Sequence, residues 1–233
     1  GPERSRQGLT ATLVLLMIWS TVVFTAWLVG PFLAAGRVNW VNGWIYFVVV
    51  AGGLATHRSY LKRRSPALLQ QRRRIGAGTK PWDIVWVIAF WPLMAAVPIV
   101  AGFGVRLGWS SLPTWLWPIG LLIFASGLVL SAWAMLENPH FEGTVRIQYE
   151  RDHRVVDTGP YGHVRHPGYV GLGLWALATP LLLLSWAAIV PAGVVTLWLI
   201  LRTALEDGTL RRELGGYVEY SQRVRYRLVP GIW

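Results

Sequence analysis

The chain has 233 residues, 54% of them hydrophobic and only 14% charged, with a formal net charge of +11. A mean hydropathy of +0.42 places it in the membrane class rather than among soluble domains. The absence of cysteine excludes disulfides, thiolate metal sites and a cysteine nucleophile. No metal site is expected.

In chain order, Gly1-Pro2 reads as the remnant of a removed tag, and residues 1–8 as a short cytoplasmic N-terminus. Five runs then carry no Asp, Glu, Lys or Arg: 9–36, 38–56, 84–105, 107–136 and 168–201. A helix needs roughly 20 apolar residues to cross a bilayer core of about 30 Å. The first four runs therefore predict one span each, at 9–29, 40–56, 84–103 and 115–136. The fifth is too long for one span. Pro180 and Ser185-Trp186 near its centre predict a tight helical hairpin, 168–184 and 186–206. The fold class expected is all-α: a polytopic membrane helical bundle of about six membrane segments with a C-terminal cytoplasmic helix.

Between the second and third spans lies a basic loop, 58–80, with eight Lys or Arg. Of the 22 basic residues, only Arg37 and Arg106 fall in the alternate loops. Six spans put the other twenty on the cytoplasmic side, as the positive-inside rule requires, with both termini cytoplasmic. The net charge is thereby assigned to topology and to anionic membrane lipids, and no nucleic-acid partner is expected. Tryptophans near span ends (Trp40, Trp44, Trp82, Trp109, Trp115, Trp117, Trp186) read as an interfacial belt.

Polar residues are costly at a membrane unless they have a task, and they gather in two stretches, 137–169 and 202–233. The hairpin returns the second to the face of the first. Arg165, His166 and Tyr169 then stand beside Arg202, Glu206 and Asp207, with Arg202 and Glu206 four apart on one side of a helix. Each cluster has a plainer reading as lipid-headgroup contacts and interfacial ion pairs. The tail "RRELGGYVEYSQRVRYRLVPGIW" reads as an amphipathic surface helix broken at Gly215-Gly216.

The loop "GPYGHVRHPGYVG" (159–171), followed by Arg202, the acidic pair Glu206-Asp207, Leu210, Gly216, Tyr217, Tyr220, Val224 and Pro230, resembles the isoprenylcysteine carboxyl methyltransferase and phospholipid methyltransferase superfamily. The resemblance covers about 115–233, leaving 9–114 as generic membrane helices. It implies an integral membrane enzyme that transfers a methyl group from S-adenosylmethionine, giving S-adenosylhomocysteine, to a lipophilic small molecule or lipid at the cytoplasmic membrane face. It further implies a cofactor site drawn from Tyr161, Val164, Arg165, His166, Pro167, Tyr169, Glu206 and Asp207, with Arg202 and Glu206 catalytic. Asn138, His140 and Arg202 are the candidate acceptor contacts, and Gly127 is expected to let a helix approach the cofactor closely. The departures are Gly162, where the family commonly has Arg, and Asp207 in place of Glu.

The residue types suit that chemistry. Tyrosines can wall an adenine, Arg165 or His166 can hold a carboxylate, and Glu206 or Asp207 an ammonium. An anionic acceptor needs desolvation and positioning, whereas an amine or thiol also needs a proton acceptor such as Glu206, His166 or His140. Two other classes fit less well. An NADPH-dependent membrane sterol- or enone-type reductase shares the tail, but usually has an acidic residue where Leu172 stands. A non-catalytic lipid-binding or transport protein would carry ionisable groups at mid-membrane. A prokaryotic inner membrane is the expected location.

Overall fold

The computed structural model describes residues 2–71 and 78–233, with side chains at 17–69 and 78–233. The remnant dipeptide's Gly1, the side chains of Arg4 and Arg6, and Arg72, Arg73 and Arg74 of the basic loop lie outside the described residues. Eight α-helices are described: α1 (Pro2–Ala35), α2 (Val41–Arg64), α3 (Pro66–Gln71), α4 (Pro81–Arg106), α5 (Leu116–Glu137), α6 (Pro167–Leu182), α7 (Ile189–Glu213) and α8 (Tyr217–Arg223).

Four of them contain stretches long and apolar enough to cross a membrane: Met17–Ala35, α4, α5 and α7. The expected second span forms as the helix α2 but is not among these four, because Asn42, Gly52, Gly53 and His57 dilute its apolar character. α6 has 16 residues, about 24 Å at 1.5 Å per residue, short of a full span. The hairpin is present, with its turn at 183–188 between α6 and α7.

The long helices alternate in direction. Gly36 lies against Arg106, the Leu112 amide donates to Leu184 O at 2.9 Å, and Ser111 bridges Ser185 at one end of the bundle. Lys80 meets Glu213 and Asp83 meets Arg202 at the other. One apolar core, including Tyr46, Phe90, Val97, Phe124, Trp175 and Leu199, runs between these ends. α4 and α7 exchange a reciprocal pair of bonds, Trp86 Nε1 to Trp198 O at 2.9 Å and Trp198 Nε1 to Trp86 O at 3.4 Å.

The α5–α6 contact depends on small residues. A Cβ built on Gly127 would stand 2.8 Å from Gly171 O, so only glycine admits this backbone approach. Gly127 thus faces α6, correcting the expectation that it lies against a cofactor. Close packing fixes the start of α6, where the 159–171 motif ends.

α7 runs two turns past the expected end at Glu206, to Glu213. The chain then breaks at Gly215-Gly216, as expected, with Gly216 at φ 78. After α8 the tail doubles back beside the motif: the Arg165 amide donates to Tyr226 O and the His166 amide to Arg227 O. Ile147, Leu214, Tyr217, Tyr220 and Val224 form a second, smaller apolar cluster under this cap.

Candidate active site

A cavity of about 170 Å³ lies at the polar end of the bundle, enclosed by the end of α5, the 138–156 loop, the 159–171 motif, α7 and the tail. Of the expected residues, Asn138, His140, Tyr161, Arg165, His166, Tyr169, Arg202 and Glu206 line it. Residues far apart in the chain therefore converge, as the hairpin requires.

Three expected cofactor residues do not line it. Val164 is buried beneath the motif, and Pro167 occupies the first turn of α6, where its missing N–H costs nothing. Asp207 is fully buried. Its carboxylate takes Arg165 Nε at 2.7 Å, the Tyr217 hydroxyl at 2.9 Å and Arg227 Nε at 3.0 Å, with Arg211 at 3.2 Å. Arg165 is committed in the same way: beyond Asp207, its Nη1 donates to Val224 O at 2.8 Å and Arg225 O at 2.9 Å. The Arg165–Asp207 pair is thus a knot tying the motif to α7 and the tail. Its donors and acceptors are already used by the fold, whereas the sequence placed both residues in the expected cofactor site.

Glu206, one residue away, faces the cavity instead. One carboxylate oxygen accepts the Tyr169 hydroxyl. The His166 ring stacks on Tyr169 with centroids 5.8 Å apart, and its Nε2 lies 3.4 Å from the Tyr217 hydroxyl. Gly168 makes room for the Phe141 ring, which a Cβ there would meet at 2.8 Å. Burial pushes the Tyr161 and Tyr217 hydroxyls above their ordinary range, and Asp207 adds to the rise at Tyr217. Both stay protonated, so the wall they form is uncharged and able to donate.

Arg202 is buried between aromatic rings, 4.1 Å from the Trp86 centroid and 5.2 Å from that of Tyr169. Its Nε lies 2.9 Å from Asp83 Oδ1, and its Nη2 donates to Gly143 O at 2.9 Å. Asp83 was not among the expected site residues: it stands alone in sequence, at the start of an apolar helix. Its signal was its depth, in the first turn of α4 and level with Arg202 on the antiparallel α7.

The loop over the cavity carries a second unexpected feature. His140 and His153 stack with centroids 4.4 Å apart. Burial lowers both, His153 to about 4, and each is further lowered by nearby positive charge, Arg151 beside His140 and the His140 ring beside His153. His153 therefore shares the cavity wall with His140. Asn138 ends α5, its side-chain oxygen accepting the His140 amide at 2.8 Å.

A helical membrane protein with a charged cavity at one end of its bundle is the class that these features define. Residues 119–212 match the model of the isoprenylcysteine carboxyl methyltransferase family. The chain is 34% identical over 110 residues to a probable protein-S-isoprenylcysteine O-methyltransferase of Oryza sativa subsp. indica, an alignment covering 46% of this chain and 57% of that protein. It is 33% identical over 114 residues to the protein-S-isoprenylcysteine O-methyltransferase of Tribolium castaneum, covering 47% of this chain and 40% of the relative. The matches thus span about half the length of these relatives. In three dimensions the chain resembles the solved eukaryotic intramembrane Ras methyltransferase, with a TM-score of 0.53 over 96% of this chain and 86% of that one, at 20% identity. That likeness shows a shared fold. The resemblance to the isoprenylcysteine carboxyl methyltransferase family thus rests on residues 119–212 of this chain.

Proposed function

We propose that this protein is an integral membrane methyltransferase that uses S-adenosylmethionine to methylate a lipophilic small molecule or lipid at the cytoplasmic membrane face. One observation carries the reading beyond the family resemblance. Among the described residues lining the cavity, each arginine has a carboxylate partner supplied by the fold: Arg146 with Glu142, Arg154 with Asp152, Arg165 with Asp207, Arg202 with Asp83. Among those same residues, Glu206 is the lining carboxylate without an ion-pair partner. A half-buried carboxylate against tyrosines, with no direct ion pair, is costly and favours a cationic ligand. The residues present fit S-adenosylmethionine, which when bound supplies an electrophilic methyl group on a sulfonium.

In this reading Glu206 holds the cofactor's ammonium, while Tyr161, Tyr169, Tyr217 and Tyr220 exclude water and flank the adenosyl group. His166 is the group for the cofactor carboxylate. Arg202 orients the acceptor, with Asn138 and His140 nearby. The acceptor's apolar part enters from the bilayer. The charge distribution supports six membrane segments with both termini cytoplasmic.

The test is calorimetric binding of S-adenosylhomocysteine to the detergent-purified protein, with NADPH as control. Binding of S-adenosylhomocysteine alone is expected, and Glu206→Gln should weaken it by about 10–100-fold, the worth of a hydrogen bond to a charged group. Binding of NADPH alone would move the protein to the reductase class. Unchanged affinity in the E206Q variant would remove Glu206 from the cofactor site.

A further inference from the structure

We propose that Asp83, on the first turn of α4, is the positioning residue for Arg202 and couples its guanidinium to the loop that roofs the cavity; this rests on the methyltransferase reading above. Asp83 is fully buried and does not line the cavity, so its task is exercised through a neighbour. It holds one edge of Arg202, with Nε 2.9 Å from Oδ1 and Nη2 3.2 Å from Oδ2. Trp86, three residues along the same helix, covers the guanidinium face at 4.1 Å. Nη2 is engaged by Asp83 Oδ2 and Gly143 O, so an acceptor would meet the guanidinium through its remaining edge.

The same pair grips the roof from both sides. Asp83 Oδ2 accepts the Val145 amide at 2.7 Å, while Arg202 Nη2 donates to Gly143 O at 2.9 Å. The neighbouring Lys80 amide donates to Val145 O at 3.1 Å, and the Thr79 and Thr144 hydroxyls lie 3.2 Å apart. Residues 143–145 line the cavity. The orientation of the guanidinium and the closure of the roof are therefore set by one buried carboxylate. A lone arginine could not be held at this depth, because a buried charge without a partner is strongly unfavourable.

The experiment compares wild type, Asp83→Asn, Arg202→Ala and the double variant. Asp83→Asn should leave S-adenosylhomocysteine affinity within about twofold, because Asp83 does not touch the cavity. Its turnover of a methyl acceptor should fall by about 100-fold, the scale of a 1 Å misplacement in an active site, with the loss in kcat rather than in KM for the cofactor. The double variant should be no slower than Arg202→Ala, since a residue acting only through Arg202 adds nothing once Arg202 is gone. Additive losses, or a matching fall in cofactor affinity, would overturn the proposal. Should Asp83→Asn fail to fold, Asp83→Glu keeps the charge but moves it by one methylene. It should fold, bind S-adenosylhomocysteine normally and turn over at least about 10-fold more slowly; an unchanged rate would overturn the proposal. Amide exchange at 143–145 separates this idea from the methyltransferase reading itself. Even in a protein that bound no S-adenosylhomocysteine, the Val145 amide should exchange faster after Asp83→Asn or Asp83→Glu, and unaltered exchange refutes the coupling.

Discussion

Replacing Asp207 by Ala should cost stability, whereas replacing its neighbour Glu206 by Gln should cost only ligand binding. Asp207 is fully buried and compensates Arg165, whose side chain is 2% exposed, at 2.7 Å, together with Arg227 at 3.0 Å. Arg211 also approaches, but its side chain is 43% exposed, and solvent screening leaves that contact worth little. The cost is therefore dominated by Arg165. Removing one partner of a buried ion pair typically costs about 3–5 kcal/mol, because the other charge is left uncompensated. At about 2–4 °C per kcal/mol for a chain of this size, the melting temperature should fall by on the order of 10 °C. Differential scanning fluorimetry in a fixed detergent, beside S-adenosylhomocysteine calorimetry, separates the two residues. Asp207→Ala should lower both melting temperature and affinity; Glu206→Gln should lower affinity alone. An Asp207→Ala protein with wild-type melting temperature but no ligand binding would refute the structural knot and return Asp207 to the cofactor site.

The stacked His140–His153 pair predicts a loss of stability on acidification. Both folded values are lowered, His153 to about 4, so the unfolded chain binds more protons below its ordinary value near 6.5. The stabilisation is complete above that value and is lost as pH falls from about 6.5 towards 4. His153→Phe should flatten this part of the melting-temperature profile, and an unchanged slope would show that the pair does not titrate this way. Gly171→Leu should separate α5 from α6, since even a Cβ there would meet Gly127 O at 2.7 Å. Overpacking of about 1–3 kcal/mol is expected, seen as a lowered melting temperature, and wild-type stability would mean that the helices are not so closely apposed. Single cysteines at Ser110 and Glu150, both exposed, should label from opposite sides of an oriented membrane, Glu150 from the cytoplasm. Labelling from one side would break the six-segment topology.

How much of this was legible in the sequence follows from where each signal is stored. The charge-free runs mark the helices because hydrocarbon demands it, and the hairpin follows from Pro180 and Ser185-Trp186 in a run too long for one span. The convergence of the motif with Arg202 and Glu206 then needs only that the hairpin return. What composition could not distinguish was which of two adjacent acids faces the cavity. Glu206 and Asp207 differ by about 100° around a helix, and the tail that satisfies Asp207 arrives from residues 217 and 227, whose path no local pattern specifies. Asp83 was hidden for a similar reason: its partner is 119 residues away. One physical constraint nevertheless links the two cases. An arginine buried at the end of a membrane helix needs an anion, so Arg165 and Arg202 each required a carboxylate at matching depth. Asp207 answers the first and Asp83 the second. Glu206 makes no such direct pair, and the proposal that it holds a cationic ligand rests on that difference.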